Sequence, residues 1–169
     1  MNNIIKDNKK EKFKIINQVL DNFLNKYNIN NTLSTISKLS SLVSILYNNK
    51  THTSLNFIGF YLVSKISNTN NILEIGPYMS DILATPVIEY GKGVCGSSWK
   101  LKKTIIQNNV KLCDNYIACD DVTKSEIVIP LFINNECVGV LDIDSTEYDA
   151  FDIEDANFYE NIVKKLFDT

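Results

Sequence analysis

SEIVIPLFINNECVGVLDIDS, residues 125–145, is the stretch of sequence that decides the fold. It contains two apolar runs, Glu126–Ile133 and Cys137–Ile143, each typical of a β-strand. Asn134-Asn135 between them is a hairpin turn signal. The two runs are therefore predicted to pair antiparallel. The almost continuous apolar character of the first run favours a central strand.

Three carboxylates lie at the ends of these strands. Asp142 and Asp144 are two residues apart, so both side chains leave the same face of the strand. The turn at Asn134-Asn135 makes opposed residue numbers add up to about 269, which places Glu126 near position 143 and close to both aspartates. Carboxylates this close repel one another unless a positive group lies among them. A ligand ammonium group, a divalent cation or simple solvation would each serve. A carboxyl group in such a cluster can have a raised pKa and act as a general acid.

Two of the four cysteines lie in turns before the hairpin. Cys95 follows Gly91-Lys92-Gly93-Val94 and is expected to open a short helix, where the helix N-terminus and Lys92 would lower its pKa. Burial in a tight turn is the alternative reading of Cys95. Cys119 lies in a polar loop, a position open to nucleophilic chemistry. The adjacent Asp120 and Asp121 would raise the pKa of its thiol.

The remaining cysteines are weaker candidates. Cys137 lies within an apolar run and is expected to pack in the core. Cys113 lies in a loop and is either an auxiliary thiol or merely exposed. No Cys-x-x-Cys pair occurs, and the only histidine, His52, is distant and is interpreted as a loop residue. We therefore predict no metal site.

Helical spacing of apolar residues predicts three long helices. The first runs from Phe13 to Tyr27. The second has Thr32 as its predicted N-cap and a buried stripe that includes Ile36. The last begins after Asp152, its predicted N-cap, and has a buried stripe of Ile153, Ala156, Phe158, Ile162, Val163 and Leu166.

Shorter segments complete the pattern. Asn56–Val63 and Ile72–Ile75 are predicted strands, joined by a loop over residues 67–71 and followed by a stop at Gly76-Pro77. Thr104–Gln107 is a predicted edge strand. The order predicts an α+β domain with a central antiparallel sheet and helices packed mainly on one face. Residues 1–11 are expected to be a flexible or helical arm, and residues 12–169 one domain.

Composition excludes some functions. The net charge of −3 argues against a nucleic-acid binder, and every basic residue is lysine. No apolar run is long enough for a membrane span, and the N-terminus lacks the pattern of a signal peptide. We therefore expect a cytoplasmic protein whose cysteines are free thiols.

Several segments together resemble the free methionine-R-sulfoxide reductases, enzymes built on a single GAF domain. The resemblance covers nearly the whole chain after the N-terminal arm. The matching segments are Gly59-Phe60-Tyr61, Ile75-Gly76-Pro77-Tyr78, Tyr90-Gly91-Lys92-Gly93-Val94-Cys95-Gly96, Ile117-Ala118-Cys119-Asp120, Ser125–Leu131 and Gly139–Ser145.

The resemblance implies the reduction of free methionine-R-sulfoxide by a thiolate, through a sulfenic acid and then a disulfide. Cys119 is the predicted nucleophile, because it lies seven residues before Glu126 and a short loop joins it to that strand. Cys95 is then the resolving thiol, although the sequence leaves the reverse assignment open. Substrate binding falls to Glu126, Asp142 and Asp144, with Tyr61 and Phe57 as the aromatic walls. No bound cofactor is expected. Thioredoxin is the implied external reductant, and a homodimer is the implied assembly.

The chain departs from the family pattern in three places. Thr85 replaces a third cysteine, which leaves Cys95, Cys119 and the possible auxiliary thiol Cys113. Phe57 replaces a tryptophan, which keeps an apolar wall but removes an indole donor. Tyr116 replaces a histidine. Two rival functions stay open: a GAF module that only binds a small ligand, and a non-catalytic scaffold that dimerises through its helices.

Overall fold

The computed structural model describes residues 2–27, 33–65, 71–113 and 121–167, with side chains from residue 8 onward. These ranges contain four α-helices, six strands and one short 3-10 helix. In chain order the elements are α1 (Asn2–Tyr27), α2 (Thr35–Asn48), β1 (Leu55–Val63), β2 (Ile72–Ser80), β3 (Val87–Glu89), α3 (Gly93–Leu101), β4 (Ile105–Gln107), the 3-10 helix (Val110–Leu112), β5 (Ser125–Ile133), β6 (Glu136–Ser145) and α4 (Ile153–Phe167).

The six strands form one antiparallel sheet in the order β3-β2-β1-β6-β5-β4. The predicted α+β class is confirmed. Strand β5 lies between β6 and β4, as its apolar sequence predicts, and β4 is the predicted edge strand. Among the described helices, none is both long and apolar enough to cross a membrane.

The sheet separates two apolar clusters. Helices α1, α2 and α4 cover one face, where their buried residues pack against alternate residues of β1, β5 and β6 such as Ile58, Ile129 and Leu141. Helix α3 covers the opposite face together with Phe57, Tyr61 and Val128. The prediction of helices mainly on one face is therefore confirmed, and the less covered face carries the polar side chains described below.

The β5–β6 hairpin has the predicted turn, with positive φ at Asn134 (52°) and Asn135 (64°), as a two-residue type I′ hairpin turn requires. The register, however, shifts between Leu131 and Phe132. Glu126 consequently lies opposite Asp144, not opposite position 143 as the turn alone predicts. Because a one-residue slip moves a side chain to the other face of a sheet, this irregularity brings Glu126 to the face of the aspartates.

The predicted stop of β2 at Gly76-Pro77 is wrong, because the strand continues to Ser80. Tyr61 pairs with Ile75 and Gly59 pairs with Tyr78, so β2 has one more residue than β1 across this interval. This bulge accommodates a proline, which cannot donate a backbone hydrogen bond. The bulge also changes the face of the sheet on which the β2 residues after Pro77 lie.

The helix predictions need three corrections. The N-cap of α2 is Ser34, whose hydroxyl accepts from the Ser37 N–H, and Thr32 lies outside the described residues. Ile36 and Ile153 are 52% and 68% exposed, so neither belongs to the buried face of its helix. Asp152 does cap α4 and accepts from the backbone N–H groups of Glu154 and Asp155.

Two further predictions concern the loop after β1 and the boundary of the N-terminal arm. Most of the loop predicted over residues 67–71 lies outside the described residues. The boundary predicted between residues 11 and 12 stays a prediction. It falls within the continuous helix α1, and Lys9 of that helix contacts the buried Asp155 of α4, with Nζ 2.7 Å from Oδ2.

Candidate active site

Three buried carboxylates lie on the α3 face of the sheet. In the pairing pattern Asp144 lies between Phe57 of β1 and Glu126 of β5, and Asp142 lies between Gly59 and Val128. Glu126, Asp142 and Asp144 are each only 6% exposed. The predicted convergence is confirmed. Burial of three acidic groups is costly unless they are protonated or meet a positive group, so the arrangement suits a cationic ligand.

Asp142 is the carboxyl group best placed to hold a proton. Burial raises its pKa to about 7, while hydrogen bonds from the Cys95 thiol and the Ile143 backbone partly oppose the shift. Its Oδ1 atom is buried and has no hydrogen-bond partner among the described residues. Asp142 can therefore present a proton to a ligand near neutral pH, whereas an ordinary aspartate could not.

Cys95 lies in the first turn of α3, as its sequence predicts, and is 4% exposed. The expected lowering of its pKa is wrong. Burial raises the pKa of the thiol well above its usual value, and the negative charges of Asp142 and Glu126 raise it further. Desolvation and nearby carboxylates therefore outweigh the helix N-terminus and the exposed Lys92. Cys95 is a protonated thiol at neutral pH that hydrogen-bonds to Asp142.

Aromatic rings line the same face. Phe57 stacks on Tyr61, with ring centroids 6.3 Å apart, and on Tyr78, with centroids 5.7 Å apart. Gly59 lies beneath the stack, since a Cβ there would come within 2.5 Å of the Tyr78 Cβ and 2.7 Å of the Phe57 ring. Phe57 and Tyr61 are thus neighbours on the acidic face, and their role as the two aromatic walls stays a prediction.

Tyr78 is a residue of this face that the sequence did not predict, because alternation along β2 gives its direction only when the bulge is known. The Gly76-Pro77 pair was the available signal, since proline within a strand often marks an irregularity.

The other predicted thiol positions have separate outcomes. Cys119 lies outside the described residues, so its place relative to Cys95 stays a prediction. Cys113 is half-buried at the edge of the α3-side cluster, and Cys137 is half-buried there with its Sγ 3.5 Å from the Gly139 carbonyl oxygen. Thr85 is half-buried between β2 and β3. Within the described ranges, no group of three His, Cys, Asp or Glu residues is arranged to hold a metal ion.

Known proteins resemble this chain in sequence and in fold. No family model matches the chain. A free methionine-R-sulfoxide reductase of Saccharomyces cerevisiae is 37% identical over 137 residues, covering 80% of this chain and 74% of the relative. One from Escherichia coli is 35% identical, covering 79% and 76%. A GAF domain-containing protein A of Dictyostelium discoideum is 35% identical, covering 77% and 79%.

Solved structures agree with these relatives. The free methionine-R-sulfoxide reductase of Neisseria meningitidis in complex with its substrate superposes with a TM-score of 0.79 at 28% identity, covering 94% of this chain and 87% of that one. The Staphylococcus aureus fRMsr in complex with substrate gives a TM-score of 0.76 at 32% identity, covering 90% and 91%. A solved structure of a GAF domain superposes with a TM-score of 0.81 at 33% identity, covering 92% of this chain and 86% of that one, so the fold is that of a GAF domain.

Fold and site together define the class of GAF-domain oxidoreductases. Within that class, the chain belongs to the free methionine-R-sulfoxide reductase family.

Proposed function

We propose that this protein reduces free methionine-R-sulfoxide to methionine through a cysteine sulfenic acid and a disulfide. The observation that carries the proposal is the hydrogen bond between the Cys95 thiol and Asp142 on a buried acidic face beside stacked aromatic rings. The names of the yeast and Escherichia coli relatives supply the substrate.

Substrate binding follows from charge and shape. Glu126 and Asp144 lie opposite each other on the sheet and attract the substrate ammonium group. Phe57 and Tyr61 provide an apolar wall for the methyl and methylene groups. Asp142, which carries a proton near neutral pH, donates it to the sulfoxide oxygen.

The first chemical step uses Cys119. Its thiolate attacks the sulfoxide sulfur while Asp142 protonates the oxygen, the S–O bond breaks, and the oxygen passes to Cys119 as a sulfenic acid. Methionine leaves, reduced by two electrons. The raised pKa of Cys95 supports this assignment, because the thiolate is the attacking form and Cys95 carries little of it at neutral pH.

The second step uses Cys95. Asp142, now ionised, accepts the proton of the Cys95 thiol, and the Cys95 sulfur attacks the sulfenic sulfur of Cys119. The hydroxyl group leaves as water with that proton, and a disulfide forms. The thioredoxin dithiol then reduces the disulfide and is itself oxidised. With Thr85 in place of a third cysteine, Cys113 is the remaining auxiliary thiol.

Single-turnover assays test the roles of the cysteines. Cys119→Ser is expected to abolish methionine release from free methionine-R-sulfoxide. Cys95→Ser keeps one turnover but blocks recycling by thioredoxin. Cys137→Ser is the matched control and retains both activities, whereas Cys113→Ser tests the auxiliary role. The wild-type protein should lose two titratable thiols per turnover with the R epimer. No thiol loss would instead favour a module that only binds ligand.

We also propose a cytoplasmic location and a homodimer. A reducing compartment suits Cys95, Cys113 and Cys137, which are free thiols. Apolar side chains on the outer surfaces of α1 and α2, including Val19 and Ile36, support dimerisation through these helices. Sedimentation analysis of the wild-type protein and the Ile36→Ser variant tests this assembly.

A further inference from the structure

A cavity lies away from the acidic site, at the edge of the sheet past the end of β4. Its volume is about 510 Å³, within the roughly 300–1,000 Å³ range of small-molecule sites. Strand β4 pairs only with residues 126–128 of β5, so within the described part of the chain the following residues of β5 have no strand on that side. The cavity occupies this space, between the C-terminal end of α3 and the C-terminal half of α4.

The cavity combines an apolar floor with a cationic rim. Its floor includes Pro130, Phe132 and Val163, and the Phe132 side chain, 40% exposed, is open to a ligand. Its rim includes three exposed lysines, Lys102, Lys103 and Lys164.

The charge around this cavity is unbalanced. Glu160 is the one carboxylate among the described lining residues, and its Oε1 accepts a hydrogen bond from the Thr104 hydroxyl. The described lining residues therefore include three lysines and one carboxylate, in a protein whose net charge is −3. Ammonium groups that share a cavity repel one another, and an anion among them relieves that repulsion.

The backbone at the rim is also unusual. Lys102 ends α3 in the left-handed conformation, with φ of 54°, where glycine is the common residue and a lysine is sterically disfavoured. Its charge also acts on the β5–β6 hairpin, since Lys102 lowers the pKa of Cys137, although burial raises that pKa overall. A glycine would satisfy the turn better, but it would remove a positive charge from the cavity.

We propose that this cavity binds a small organic anion, a carboxylate or phosphate ester with an apolar body. The apolar floor would accept the body, and the lysines would act as point charges for the anionic group. The acidic site repels anions, and none of Glu126, Asp142 and Asp144 lines the cavity. Ile129, the lining residue of β5 nearest to Glu126, is three residues along the strand from it, or about 10 Å. The proposal does not depend on the reductase activity.

Calorimetric titration at low ionic strength tests the ligand class. Phenyl phosphate and benzoate are the probes, with phenol and inorganic phosphate as matched compounds that lack the charge or the apolar body. We expect the two probes to bind at least about ten-fold more tightly than either matched compound, and their binding to weaken as salt screens the lysines. Saturating free methionine-R-sulfoxide should not displace them. Equal binding of phenol, or displacement by the sulfoxide, would overturn the proposal.

Variants locate the site. The double variant Lys102→Asn, Lys103→Gln should weaken phenyl phosphate binding about ten-fold, since two exposed charge contacts are lost. Asparagine tolerates the left-handed backbone at position 102, and Lys103→Gln alone serves if the double variant fails to fold. Lys111→Gln, at an exposed position of the 3-10 helix, is the matched control and should bind as the wild type does. Unchanged affinity in the folded lysine variants would overturn the proposal.

NMR shift mapping gives an independent test of position. Phenyl phosphate should shift the signals of Phe132 and Val163 and leave those of Asp142 and Tyr61 unchanged. Shifts confined to the acidic face would overturn the proposal. An acidic protein that perturbs the lysine rim while phenyl phosphate and benzoate do not would also overturn it, because the cavity would then be a protein-docking surface.

Discussion

At the residue scale, Asp142 is the side chain of the site that can hold a proton and transfer it. It is buried, it is hydrogen-bonded to a buried thiol, and its Oδ1 has no partner among the described residues. The same burial gives Cys95 its raised pKa, so one environment keeps both the acid and the thiol protonated. A pair of groups with this coupling can pass one proton between a ligand oxygen and a sulfur atom.

Asp142→Asn is expected to abolish reductase activity and to stabilise the fold above pH 7. The folded-state pKa of Asp142 is about 7 and the unfolded value is near 4. The native state binds the extra proton in this interval, so wild-type stability falls as pH rises from about 4 to 7. At pH 8 the ionised Asp142 lowers the free energy of unfolding of the wild type by on the order of 4 kcal/mol, and the variant lacks this loss.

Thermal denaturation at pH 5 and pH 8 measures this effect. The stability advantage of the Asp142→Asn variant over the wild type should be larger at pH 8. Wild-type reductase activity should decline as pH rises through about 7, because the proton donor ionises. An advantage of this variant that is equal at both pH values would contradict the assigned burial cost.

At the scale of elements, the start of α4 joins a helix cap to an ion-pair network. Asp152 Oδ1 accepts from two backbone N–H groups, while its Oδ2 lies 2.9 Å from Lys9 Nζ. Asp155 is fully buried, and its Oδ2 accepts hydrogen bonds from Lys9 Nζ and from the Asp152 backbone N–H. His52 Nε2 lies 3.3 Å from its Oδ1. His52, interpreted from sequence as a loop residue, thus helps to satisfy a buried carboxylate.

Asp152→Ala is expected to destabilise the protein by about 1–2 kcal/mol, the usual cost of losing a helix N-cap. Burial tends to raise the pKa of Asp152, but hydrogen bonds from Lys9 and the backbone outweigh it and lower the pKa to about 2. The stabilisation is therefore present above pH 4 and is lost as pH falls towards 2. Because Asp152 is 49% exposed, solvent screening reduces the ion-pair share.

Urea denaturation at pH 7 and pH 3 checks this prediction. The difference between the wild type and Asp152→Ala should shrink at the lower pH. Asn157→Ala, an exposed change in the same helix, is the matched control and should differ little from the wild type. A difference independent of pH would show that the charge of Asp152 does not contribute.

At the scale of the whole molecule, α1 ties the N-terminal residues to the last helix. Lys9 is only 6% exposed and bridges to the fully buried Asp155, and Phe13 stacks on Phe158 with ring centroids 3.9 Å apart. Removing the cation from a buried ion pair strongly destabilises the folded protein, because the carboxylate is left buried without a partner charge. The N-terminal residues therefore contribute to the stability of the entire domain.

Deletion of residues 1–11 is expected to destabilise the protein by roughly 3–5 kcal/mol, because it removes Lys9 and leaves Asp155 as a buried charge. Deletion of residues 1–7, which retains Lys9, is the matched control and should cost much less. Calorimetric unfolding of the two truncated proteins measures the difference. Equal stability of both with the wild type would support a separable arm that ends at residue 11.

Local sequence patterns determined much of this protein. The apolar runs and Asn134-Asn135 predicted the central hairpin, the two-residue spacing of Asp142 and Asp144 predicted their shared face, and Asp152 predicted the start of α4. These features depend on backbone periodicity and on hydrogen bonds between residues close in sequence. Each of them can therefore be predicted from one short segment of the chain.

Tertiary structure decided what depends on distant neighbours. The irregularity after Leu131 set the pairing of Glu126, and the bulge at Gly76-Pro77 set the direction of Tyr78. The pKa of Cys95 was mispredicted because helix position is local, whereas burial and the Asp142 charge come from packing against the sheet. The lysine-rimmed cavity likewise arises where α3, α4 and the hairpin meet, since ammonium groups far apart in sequence share one space only after folding.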